Sequence, residues 1–368
     1  MSNKSILEQS IEKYKKEIHS DAYPMSIGEC VNMYINGEID IQPEFQRFYR
    51  WSISQKTKFI ESILLGIPIP SFFVAQRDDG IWDLVDGLQR FSTILSFMGE
   101  LKDEKNIKIE PLILSEGTYL KELNGLCWNK ISNAIKLAFR REKLDFKIIK
   151  KESTSDTKYE LFRRLNTGGS QLSEQEVRNC LLLMTNREFY EWIQNLSHDE
   201  NFKSSIILSQ DQIDKQYDLE LIVRFIVYSS VDWKTISSNS FSDIGEFLND
   251  EIIKCAKNPD FDYTYYTEKF KNTFHIINNA LGQESFKKFY SSENRHKGAF
   301  SIALYESIST GIAFNYDSLK NISPSRIKEL IEKFSQEQDF LTNSGSGIRA
   351  NTRSPKIVPL AINFFKNG

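Results

Sequence analysis

Residues 72–90, Phe72-Phe73-Val74-Ala75-Gln76-Arg77-Asp78-Asp79-Gly80-Ile81-Trp82-Asp83-Leu84-Val85-Asp86-Gly87-Leu88-Gln89-Arg90, read as a strand, a tight turn, a second strand and the start of a helix. Asp79-Gly80 between two β-prone runs is a hairpin signal, because the favoured turns need positive φ. Gly87, directly after Asp86, lets the backbone bend sharply and come close to a ligand. Leu88, Phe91, Ile94, Leu95 and Met98 then recur at helical spacing, so one face of the following helix is buried. Gln89 and Arg90 fall in its first turn, where unsatisfied N–H groups and the helix dipole favour an anion. An arginine is electrostatically misplaced at that end, so a negative group is expected beside it, either Asp86 or a bound phosphate. An acid, a glycine, an amide and a guanidinium within five residues read as a site.

Upstream of this stretch, residues 5–18 have the pattern of a charged amphipathic helix. Ser26 is placed to cap a second helix through Tyr34, with Gly37 beyond its end. Ile39 and Ile41 suggest a short strand leading into Pro43. Phe45-Gln46-Arg47-Phe48-Tyr49-Arg50-Trp51 is dense in aromatics and arginines, either an aromatic plug or a face turned toward Asp86. Ser52 or Ser54 caps the next helix, which carries Phe59, Ile60, Ile63 and Leu64 and stops at Gly66. Glu61 on its flank reads as a surface carboxylate or as a partner for an arginine.

Downstream, 107–114 is strand-like, a helix follows near 128–140, and 144–150 alternates as a half-buried strand. Lys136 to Lys151 hold seven basic residues against two acids, a solvated face or a phosphate contact. Residues 157–166 read as a helix ending at Asn166, and Ser173-Glu174-Gln175-Glu176 as a capping box. From about residue 186 the period is helical almost throughout: roughly 186–196, 216–231, 240–256, 263–281, 298–314, 323–340 and 356–366. The expected organisation is therefore a mixed domain over 1–185 and an all-helical domain over 186–368. The tail after Asp339 has no acid but carries Arg349, Arg353, Lys356 and Lys366 around Gly345-Ser346-Gly347, an exposed loop or a phosphate-gripping one.

The chain has 368 residues, a formal net charge of −3, and ordinary hydrophobic and charged fractions of 40% and 26%. Residues 1–180 hold 26 basic and 26 acidic side chains, so neither half is broadly basic and no bulk DNA-binding surface is indicated. The first residues lack an apolar signal core and no run reaches membrane-spanning length, so a cytoplasmic protein is expected. Cys30, Cys127, Cys180 and Cys255 are too scattered for a zinc pair or a disulfide framework. The sequence has no P-loop and no nucleophile elbow.

Asp86-Gly87-Leu88-Gln89-Arg90 resembles the Asp-Gly-Gln-Gln-Arg signature of the DUF262 family, the N-terminal domain of GmrSD-type restriction proteins. Two flanking motifs in family order extend the resemblance over roughly 140 residues. One is Pro43 to Trp51 followed by Glu61-Ser62-Ile63-Leu64-Leu65-Gly66-Ile67-Pro68-Ile69-Pro70; the other is Phe162-Arg163-Arg164-Leu165-Asn166-Thr167-Gly168-Gly169, then Leu172-Ser173 and Glu176. Leu88 stands where the signature has its first glutamine.

The resemblance implies an α+β, ParB/sulfiredoxin-like N-terminal domain and a nucleotide-binding, NTP-hydrolysing role in restriction or phage defence on DNA. The catalytic candidates are then Asp86, Gln89 and Arg90, with Gln46, Arg47, Gly87, Arg164 and Asn166 binding phosphates. Mg²⁺ with a nucleoside triphosphate is the implied cofactor, DNA and a partner nuclease the implied partners. A non-catalytic DNA- or protein-binding sensor serving such a nuclease is the alternative. Some relatives carry an HNH nuclease as a second half. His19, His198, His275 and His296 are scattered here, so no HNH domain and no protein-built metal site are expected.

Overall fold

The computed structural model of the chain describes residues 20–41, 51–103, 106–150, 174–236, 241–345 and 347–366. The chain divides into two compact units, Met1–Gln171 and Leu172–Gly368.

The first unit is mixed. Its elements run β1 (Ser20–Ser26), α1 (Ile27–Ile35), β2 (Ile39–Asp40), α2 (Ile53–Leu64), β3 (Phe72–Gln76), β4 (Trp82–Asp86), α3 (Leu88–Met98), α4 (Asn133–Arg141) and β5 (Lys143–Ile149). The five strands form one sheet in the order β1-β5-β3-β4-β2. The hairpin β3–β4 and the pair β1–β5 are antiparallel, whereas β3–β5 and β2–β4 are parallel. The central strand β3 is buried on both faces from Phe72 to Ala75, which explains its unbroken apolar run.

Local signals set the helix ends. The Ser26 hydroxyl accepts from the Glu29 N–H, and Ser52 with Gln55 closes a full capping box at the start of α2. Helix α3 is buried from Arg90 to Met98. Its Phe91 meets Phe72 edge-on at 6.1 Å, and Phe72 stacks on Phe146 of β5 at 5.1 Å. Three aromatics thus join the helix, the central strand and a neighbouring strand in one core. The loop between β3 and β4 spans Arg77 to Ile81, closed by the Arg77 N–H on the Ile81 carbonyl, with Gly80 at φ 90°.

The expected strand over 107–114 does not form. Pro111 interrupts it and removes a ladder donor. Its backbone bonds elsewhere: Leu112 N–H donates to the Ser96 carbonyl at the end of α3, and Leu114 N–H to the Leu126 carbonyl, leaving one isolated bridge, Lys102 to Lys108.

Among its described residues, the regular structure of the second unit is helical apart from one short ribbon. Its main helices are α5 (Glu174–Thr185), α6 (Arg187–Leu196), α7 (Tyr217–Ser230), α8 (Ile244–Lys257), α9 (Tyr263–Leu281), α10 (Ile302–Phe314), α11 (Pro324–Ser335) and α12 (Ala350–Lys366). An antiparallel ribbon of β6 (Lys288–Tyr290) and β7 (Arg295–Lys297) lies between α9 and α10. Helix α10 is buried along nearly its whole length and packs closely on α12: a Cβ at Gly311 would stand 2.6 Å from the Phe365 ring. Glu306 of α10 is fully buried and accepts bonds from Arg224 (2.7 Å), Arg353 (3.0 Å) and Ser354 (3.0 Å), so α7, α10 and α12 share one carboxylate. Arg353, one of the tail arginines, is thereby turned inward. No helix among the described residues is long and apolar enough to cross a membrane.

Candidate functional site

The strand–turn–helix at Asp86 is built by three local devices. First, β4 carries an extra residue. Phe73 pairs with Asp86 but Val74 pairs with Leu84, so Val85 bulges and re-aims the strand end. Second, Gly87 sits at φ 102°, ψ 12°, a left-handed conformation that turns the chain directly into α3. A Cβ there would also stand 2.4 Å from Cδ1 of Phe72, so the glycine is required twice over. Third, Asp86 and Arg90 are one helical turn apart, and the guanidinium Nη2 reaches the carboxylate Oδ2 at 3.1 Å.

Arg90 faces inward. It is 7% exposed, lies 4.6 Å over the Phe72 ring, and donates to the carbonyls of Pro70 and Ser71 as well as to Asp86. Burial lowers its pKa, against the raising influence of Asp86. Four partners from two stretches, residues 70–72 and Asp86, hold it, so it fixes the entry to β3, the end of β4 and the start of α3 relative to one another. The Asp86 side chain remains 19% exposed and is the charged group that reaches solvent at this turn. Gln89 turns the other way: its Oε1 accepts from the Trp51 N–H at 3.2 Å, tying the residue that follows Arg50 to the first turn of α3. Leu88 packs against the hydrophobic core.

The structure therefore pairs Asp86 with Arg90 across Gly87, whereas Gln89 is turned toward Trp51. Gln46, Arg47, Arg164 and Asn166 lie outside the described residues. No group of three or more His, Cys, Asp or Glu able to hold a metal ion is found among the described residues.

Residues 27–183 match the family described as GmrSD restriction endonuclease, N-terminal domain. This segment belongs to that family. No curated protein and no solved structure matches the chain. The GmrSD N-terminal domain here runs from α1 to α5 and so includes the turn at Asp86 and the Arg178-Asn179 pair of α5. That pair is buried in a polar network. Arg178 donates to Asn249 at 2.7 Å and to Gln175, which donates to Asn179 at 2.7 Å, and Asn179 donates to Gln216.

Two features of the GmrSD domain were hidden from sequence reasoning. Asp40 and Asp83 clamp Arg77 from neighbouring strands, with Arg77 Nε donating to Asp83 Oδ2 at 2.8 Å. Glu61 is not a surface carboxylate. It is buried and accepts the N–H groups of Thr118 (3.0 Å), Tyr119 (2.7 Å) and Leu120 (2.7 Å). Gly117 permits that approach, since a Cβ there would stand 2.5 Å from Glu61 Oε1. Burial opposes the charge, but these three donors with Lys121 nearby hold the Glu61 pKa below the usual carboxylate range.

A depressed folded-state pKa means stability that is present above the unfolded value, about 4.3, and lost as pH falls through the folded one. Glu61→Gln is accordingly expected to be less stable than the parent by about 2 kcal/mol at pH 7. The gap should narrow on acidification below about pH 4, as read by urea unfolding at several pH values.

Proposed function

We propose that the Asp86–Arg90 turn binds the phosphates of a nucleoside triphosphate carried with Mg²⁺, in a protein of restriction or phage defence that acts on DNA. The observation that supports it most is the bulged strand end that delivers the Asp86 carboxylate, through a left-handed glycine, to the N-terminus of α3. Helix N-termini entered through a glycine turn suit phosphate, and Mg²⁺ commonly takes one or two carboxylates with the rest of its shell from phosphates and water. A metal brought in by the nucleotide needs only one such partly exposed carboxylate from the protein. Family membership supports the restriction and phage-defence setting.

In this reading Asp86 holds the metal or orients water, the first-turn N–H groups of α3 face the phosphates, and Gln89 anchors Trp51 beside them. Arg90 is a positioning residue that sets the Asp86 carboxylate, because its Nη1 and Nη2 groups are engaged by Pro70, Ser71 and Asp86. Gln46 and Arg47 precede Trp51, which Gln89 anchors, and are proposed to add phosphate contacts with Arg164 and Asn166. A second reading, the non-catalytic sensor for a partner nuclease, is favoured by one observation: Leu88 replaces a polar amide with a core side chain.

A thermal-shift screen of nucleoside triphosphates with Mg²⁺ or with chelator separates the two. Binding at 100-fold excess over Kd is expected to stabilise by about 2.7 kcal/mol, and no shift with any triphosphate would favour the sensor.

A further inference from the structure

The ribbon of β6 and β7 has no counterpart in the helical pattern of the second unit, and its two faces differ. Phe289 and His296 pair across it on the inner face. The buried His296 lies with Nε2 3.1 Å from Glu332 Oε1 on α11 and Nδ1 3.3 Å from the Lys287 carbonyl, while Gln336 donates to the Phe289 carbonyl. The inner face is thus fixed to the helices. The outer face pairs Lys288 with Lys297 and Tyr290 with Arg295. Like charges directly opposite each other are destabilising in a ribbon. Lys288 makes no ion pair among the described residues, and Glu293 alone serves both Arg295, at 2.7 Å, and Lys297. Tyr290 is 40% exposed, and the Lys297 ammonium lies 4.4 Å from its ring centre.

Beside the ribbon is a groove of about 350 Å³. Ser291, Ser292, Phe340 and Leu341 are among its lining residues, and among the described residues Lys288 is its one charged lining residue. Three cations share one carboxylate beside an exposed aromatic ring, next to a groove of mixed polar and apolar lining, and this is the chemistry of a strand-binding surface: cations for phosphates, a ring for an unstacked base.

We propose that this ribbon and groove bind single-stranded nucleic acid. Lys288, Arg295 and Lys297 contact phosphates, with Glu293 giving up its cations to them, and Tyr290 stacks on an unpaired base. The proposal shares with the nucleotide reading only the expectation that the protein acts on nucleic acid, and its residues are separate.

The test is fluorescence anisotropy of the full chain with labelled oligothymidylate, oligouridylate and a duplex of the same length. The parent should prefer single strands to duplex and weaken roughly tenfold or more between 50 and 200 mM salt. Lys288→Ala/Lys297→Ala and Tyr290→Ala should each weaken single-strand binding about tenfold, and Glu293→Gln should tighten it. All sites are on the surface, so the thermal transition should be unchanged and any nucleotide-induced shift retained, which keeps failure of the two readings distinguishable. Comparable affinity for the DNA and RNA oligomers, or preference for either, supports the proposal. Failure of the parent to bind, tighter binding of duplex, or parental affinity in the lysine and tyrosine variants would overturn it.

Discussion

Replacing Glu306 with alanine is expected to destabilise the second unit by about 3–5 kcal/mol, the cost of removing one partner from a buried charge cluster. The carboxylate is fully buried and serves two arginines at once. Arg224 retains Glu220, at 2.6 Å, but Arg353 loses the carboxylate it bonds through both Nε and Nη2. Tyr228, whose hydroxyl lies 3.4 Å from Glu306, already has its pKa pushed up by burial and by that charge. Glu306→Gln keeps one oxygen acceptor and should cost less. Urea unfolding followed by tryptophan fluorescence checks both variants, and a loss below about 1 kcal/mol for the alanine variant would mean the cluster is not what joins α7, α10 and α12.

Gly87→Ala is expected to cost about 3 kcal/mol in the first unit, from the left-handed backbone and from overpacking against Phe72. The two contributions separate experimentally. Phe72→Ala removes the ring atoms that a Cβ would meet at 2.4 and 2.9 Å. In the double variant Gly87→Ala should therefore cost less than it does alone, a favourable coupling of about 1 kcal/mol in a double-mutant cycle. Full additivity would show that the backbone conformation alone demands glycine.

These two sites mark the range of what the sequence discloses. The turn at Gly87 was legible because its determinants are local: an acid, a glycine and the helical spacing that begins at Leu88. The same holds for the Ser52 cap and the hairpin around Gly80. The direction of Arg90 was not legible. Sequence spacing put it one turn from Asp86, but its burial depends on the Pro70 and Ser71 carbonyls and on the Phe72 ring, which the folded hairpin delivers. Glu61 and Glu306 were hidden for a stronger version of that reason. Their partners lie 57 to 59 residues away for Glu61 and up to 82 for Glu306, beyond any periodicity. The ribbon strands are three residues each, too short for alternation to register.

The proposed site makes its most direct claim about Asp86, so the decisive measurement is the nucleotide titration repeated on Asp86→Asn. The substitution keeps the shape of the side chain and its ability to accept from Arg90, but removes the negative charge. The account predicts that the parent is stabilised by a nucleoside triphosphate with Mg²⁺ and that Asp86→Asn, though folded, loses most of that stabilisation. Equal stabilisation of both proteins, in the same nucleotide and metal, would contradict it.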